Sequence, residues 1–119
     1  MDVNKNIKQK QDASVLALRF AMDVLVGIRR MEKIPIEVVA KKGSMSKSTI
    51  SKIEGEKTDI PITYDLLNRY CEAVDIDFPT ITKFVSILTE ELMQNDMKLK
   101  EHRARDKFFK FLQVSVSSL

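Results

Sequence analysis

Residues 44–57 read SMSKSTISKIEGEK. Four serines and three lysines surround two isoleucines, Ile50 and Ile53, spaced three apart. A solvated linker has no use for the isoleucines, and a core helix has no use for so many hydroxyls. A short amphipathic helix reconciles them. Ile50 and Ile53 then share one buried stripe, while Lys47, Ser48, Ser51 and Lys52 lie largely on the other side. Ser46 is placed to cap this helix, with Met45 just before it as an apolar plug.

Upstream, Pro35 is suited to open a preceding short helix, because it lacks the amide that a first turn leaves unpaired. Ile36, Val39 and Ala40 share its inner face, Glu37, Lys41 and Lys42 point outward, and Gly43-Ser44 breaks it. Before that, Val15, Leu18, Met22, Leu25 and Ile28 recur at spacings of three and four, widened by Leu16 and Phe20. This pattern predicts a first helix over about residues 13–33, with Asp12 as its cap. Residues 1–11 are polar and carry Lys5, Lys8 and Lys10. They read as a flexible start, able to serve as a basic arm on a nucleic-acid backbone.

Downstream, GEKTDIP (residues 55–61) forms a loop, and Thr63 caps a further helix to about Val74, with Leu66, Leu67 and Tyr70 facing inward. DIDFP (75–79) is another break. From Thr80 a long helical pattern runs to about Leu112, with an interruption expected near Asn95-Asp96. The chain is therefore expected to be all-α, in three parts: the arm at 1–11, a domain at 12–77 and a helical extension at 78–119.

The totals narrow the function. A chain of 119 residues suits one domain. Residues 1–57 carry 12 Lys/Arg against 7 Asp/Glu, and residues 58–119 carry 8 against 10. The positive field thus sits in the N-terminal half, which suits a polyanion contact there. The single cysteine, Cys71, excludes an intrachain disulfide, suits a reducing cytoplasm and reads as an inert, partly buried thiol. No apolar run is long enough for a signal peptide core or a membrane span. The one histidine, His102, stands alone, so neither a metal nor a cofactor is expected. There is no acid pair in a pocket-like context, no nucleophile with a histidine nearby and no glycine-rich phosphate loop. An enzyme is not expected.

Two short helices joined by a tight turn and packed on a longer one make a helix-turn-helix. Its second helix must bury one stripe and offer the other to the DNA major groove, with donors and acceptors for base edges and cations for phosphate. The string VAKKGSMSKSTISKIEGEKTDIP (residues 39–61) resembles the helix-turn-helix of the Cro/C1-type repressor family, also called the XRE family, over roughly residues 25–77. The specific part is SKSTISKIE (46–54), with Ala40 as the small residue of the first short helix and Pro61 after the loop.

The resemblance implies a lambda-repressor-like fold with an additional C-terminal helical segment. It places Lys47, Ser48 and Lys52 at base-reading positions, with Thr49 and Ser51 as near neighbours. Ser46, Gly55 and Lys57 stand at backbone-contacting positions, Gly55 through its main-chain amide. It also pairs Arg29 of the first helix with Glu54 as a structural ion pair. The chain departs from the family at the turn, where a large aliphatic residue and a glycine are replaced by Gly43 and Ser44. Either Ser44 takes the left-handed backbone that the turn wants, or the turn shifts to Gly43. Ile36 replaces a polar residue that often touches phosphate.

One such unit reads only a few base pairs, and a dimer reads two half-sites about 34 Å apart. In the extension, Ile81, Val85, Leu88 and Leu92 are spaced four, three, four, as in a helical seam. With Phe84, Phe108, Phe109 and Leu112 they are candidates for dimerisation, for packing on the domain, or for both; the alternative is that they only complete a monomer core. The expected function is a sequence-specific transcriptional regulator of double-stranded DNA, with repression the commoner outcome in the family, and a homodimer. The rival expectation is an antitoxin or adaptor on the same scaffold, whose C-terminal helices hold a partner protein.

Overall fold

The computed structural model describes residues 3–55, 60–94, 107, 108, 110 and 111, with side chains from residue 8 onward. The chain is all-α, and no strand is found among the described residues. Five helices follow in order: α1 (Val3–Met31), α2 (Ile36–Gly43), α3 (Lys47–Glu54), α4 (Tyr64–Val74) and α5 (Phe78–Gln94).

α1 is the central element and touches α3, α4 and α5. Its inner line is Ala13, Ala17 and Ala21, all fully buried, continued by Val24 and Ile28. Small side chains every four residues let a neighbouring backbone approach closely, and α5 makes the most extensive contact with α1. Leu18, Met22, Leu25 and Val26 fill the flanking positions. Two expectations are corrected here. Val15 is 66 % exposed, because the alanine line, and not the bulkier residue beside it, faces inward. Helix α1 also begins at Val3, within the segment expected to be a flexible arm, and it runs straight through Asp12. Residues 3–12 contain no glycine or proline to stop a helix. Extending a formed helix costs far less than nucleating one.

The breaks follow side-chain chemistry. Ser46 accepts the Thr49 N–H at 3.0 Å and caps α3. Thr63 accepts the Leu66 N–H at 3.1 Å and caps α4. Asp77 accepts both the amide (3.1 Å) and the hydroxyl (3.0 Å) of Thr80, which starts α5 at Phe78, two residues earlier than its sequence pattern suggests. At the other ends, Lys33, Ser44 and Asp75 adopt left-handed backbone at φ 56°, 52° and 61°. The next amide in each case folds back on the helix: Ile34 to the Arg29 carbonyl, Met45 to Ala40 and Ile76 to Cys71, all at 3.0 Å. These are Schellman-type closures made without glycine.

The described residues after 77 contribute to the same core. Ile81, Phe84, Leu88 and Leu92 are fully buried, and Val85 nearly so. Phe108 is also fully buried and meets Phe84 edge-on, with ring centroids 4.9 Å apart. Of the alternatives open for these six residues, packing within the chain is the one seen. Their apolar seam needed a cover, and α1 of the same chain is its principal neighbour. Phe109 and Leu112 lie outside the described residues. Thr89, buried among them, satisfies its hydroxyl on the Val85 carbonyl at 2.7 Å.

Candidate nucleic-acid interface

The candidate interface lies on α3, an eight-residue helix too short to be stable alone. Its stability comes from what it buries. Ile50 and Ile53 are fully buried, each worth about 1.5–3 kcal/mol on removal from water. Lys47, Ser48, Ser51 and Lys52 are exposed together on the opposite face. The structure brings these four expected base-contacting residues onto one open surface.

Thr49 is placed differently. It is half-buried on the flank of α3, and its hydroxyl lies 2.9 Å from the Ser46 Oγ, so the cap engages it. Ser46 is exposed at the helix start. Gly55 closes α3 with extended backbone (φ −73°, ψ 148°). Lys57 lies outside the described residues.

The turn before α3 settles which residue bends. Ser44 takes the left-handed conformation, at φ 52° and ψ 47°. Gly43 stays helical and is buried for a different reason. A Cβ there would sit 2.8 Å from the Arg69 carbonyl oxygen and 2.9 Å from Met45 Cε, so only glycine lets α2 lie this close to α4. Arg69 in turn donates from Nη1 to the Ser44 carbonyl at 2.9 Å while Asp65 holds its Nε at 3.0 Å. The turn is thereby tied to α4.

The inner end of α3 is fastened to α1 and α4. Arg29 and Glu54 form a two-point contact, Nε to Oε2 at 2.8 Å and Nη2 to Oε1 at 2.6 Å. The Arg29 side chain is 13 % exposed and that of Glu54 9 %. Arg29 Nη1 also donates to the Ile34 carbonyl at 3.0 Å, and the Tyr70 hydroxyl donates to Glu54 Oε2 at 2.8 Å. Burial by itself would lower the Arg29 pKa, but the hydrogen bond and charge of Glu54 raise it overall. Burial pushes the Tyr70 phenol far above its usual range, and its bond to Glu54 adds to this. A second arginine, Arg19, donates from Nη2 to the Ile53 carbonyl at 2.8 Å and pairs with Asp23 at 3.1 Å. A cation at the last carbonyls also suits the helix dipole.

Arg19, Arg69 and Tyr70 were missed as fasteners by sequence reasoning. For Arg19 a signal existed: a cation in the otherwise apolar run from Val15 to Met22 needs a partner inside. Glu37 was also missed. It stands on the first turn of α2, and its Oε1 lies 3.4 Å from Lys47 Nζ, both side chains being exposed. A bond to its own backbone amide and then Lys47 hold the Glu37 carboxyl below its ordinary pKa. Lys41 and Lys42 are exposed in the last turn of α2.

The surface so built is solvent-exposed. It presents ammonium donors and small hydroxyls on a helix pinned from behind, an arrangement that can enter a groove and hydrogen-bond to its floor. Among the described residues, no group of three or more His, Cys, Asp or Glu is placed to hold a metal ion, and no helix is long and apolar enough to cross a membrane. Comparison with family models, with curated proteins and with solved structures finds no match to this chain.

Proposed function

We propose that the chain is a sequence-specific DNA-binding regulator of transcription of the Cro/C1 type, acting in the cytoplasm as a homodimer. The observation that carries this reading is the open face of α3, where Lys47, Ser48, Ser51 and Lys52 are jointly exposed while Ile50, Ile53 and Glu54 hold the helix from within. Lysine can donate to O6 and N7 of guanine, and serine hydroxyls can both donate and accept at base edges. Lys52, on the outer face of the last turn, is assigned to base reading. Repression, by occupying a site, needs no surface beyond this one and is the preferred sign of regulation.

Selection of bound duplexes from a random pool tests the reading, and an enriched palindromic sequence is the expected result. On that sequence Lys52→Ala should cost about 1–3 kcal/mol and relax preference at one base position. Equal loss on every duplex would instead make Lys52 a phosphate contact. If no sequence is enriched and a second protein co-purifies in stoichiometric amount, the antitoxin or adaptor reading takes its place.

A further inference from the structure

With Ile81, Phe84, Val85, Leu88, Leu92 and Phe108 inside the chain, a dimer must be built from other residues. Among the described residues, one cleft combines exposed apolar side chains with charges of both signs. The cleft runs between α5 and the helical residues 107, 108, 110 and 111, where Ile87 and Phe111 lie over the buried Phe84. Ile87 is 45 % exposed, and Phe111 lies 6.1 Å from Phe84, ring to ring. The two walls carry opposite charge. Glu90 and Glu91 line the α5 side, and Lys107 and Lys110 line the other. Glu91 and Lys107 are already paired with each other across the cleft. Glu90 and Lys110 are both exposed, and among the described residues neither makes an ion pair.

We propose that this cleft is the homodimer interface, and that a second copy of this chain occupies it about a two-fold axis. In such a contact the same patch meets itself, so residue i touches j and j touches i. The acidic wall of one copy then lies on the basic wall of the other. Glu90 pairs with Lys110 of the second copy, and Lys110 pairs with Glu90, while Ile87 is buried between them. An apolar strip flanked by one wall of each sign is self-complementary under this operation. A foreign partner would need to reproduce both signs. The position also fits the reading as a DNA-binding dimer, on which this inference rests. α5 packs on α1 and α4 and does not touch α3, so covering the cleft leaves the face of α3 open.

The test uses the full chain without DNA, by light scattering or sedimentation at micromolar concentration. The wild type is expected to be a dimer and Ile87→Asp a monomer with unchanged helix content. Glu90→Lys places lysine against Lys110, and Lys110→Glu places glutamate against Glu90, so each alone should weaken the dimer at least tenfold. Mixed together, these two variants should form a heterodimer, because both contacts become attractive, and the double variant should recover the homodimer. A monomeric wild type, with the cleft covered by another segment or a different protein, overturns the proposal. So does a dimer indifferent to Ile87→Asp, or charge variants that fail to complement. Failure of the DNA reading shows separately, as a wild type that binds no duplex whatever its oligomeric state.

Discussion

At the scale of single residues, the turn between α2 and α3 holds two adjacent residues with opposite needs. Ser44 bends the chain and has a Cβ, while Gly43 is helical and has none. A left-handed non-glycine residue costs roughly 1–2 kcal/mol, of which glycine returns part in backbone entropy. Ser44→Gly should therefore raise the unfolding free energy by about 0.5–1 kcal/mol in a urea titration. Gly43→Ala should lower it by about 1–3 kcal/mol, because the backbone carbonyl of Arg69 cannot step aside as a flexible side chain could. Glu54 is the other sensitive residue. Its carboxylate receives Arg29 and Tyr70 together, and Glu54→Ala strands a buried guanidinium, at a cost of roughly 3–5 kcal/mol. If Glu54→Ala melts like the wild type, the cluster is ornamental to stability.

At the scale of elements, helices with caps and alternating faces were legible in the chain. Ser46 and Thr63 start helices, and Ile50 and Ile53 face inward, because both facts depend on chemistry within one turn. The pairing of Arg29 with Glu54, 25 residues apart, came only through resemblance. Periodicity shows that the stripe Ile81–Val85–Leu88–Leu92 must be covered. It does not show whether the cover is a second chain or α1. Nor could it reveal that the alanines of α1, and not Val15, would face the core, since close approach of two backbones is decided by the partner helix. α5 thus belongs to the fold and is not an appendage to residues 12–77. A chain ended after residue 77 deprives α1 of its principal neighbour and removes the buried apolar side chains of the extension. It should lose cooperative thermal unfolding in circular dichroism. A sharp transition near that of the full chain would mean that the first four helices suffice.

For the whole molecule, stability is tied to alkaline pH by two buried groups of α4. Tyr70 has its pKa raised from 10.0, and burial, helped by Asp77 and Glu72, pushes Cys71 from 9.0 up to about 12. Each keeps its proton in the folded state after the unfolded chain would release it. Their contribution is therefore full at neutral pH and is lost as pH climbs through the folded values. Urea midpoints should fall steadily above about pH 9. Tyr70→Phe should flatten that fall while lowering the neutral midpoint, and Cys71 should ignore thiol reagents until the chain unfolds. A midpoint that holds constant at alkaline pH would show that neither group differs between folded and unfolded chains.

The way α3 is held has an evolutionary side. All of its anchors, Ile50, Ile53 and Glu54, point to the interior, and none of Lys47, Ser48, Ser51 or Lys52 is among them. Mutational drift at those four positions is nearly free of folding cost. A library randomised there should remain folded almost throughout, and new preferences could be selected from it one position at a time on an unaltered scaffold.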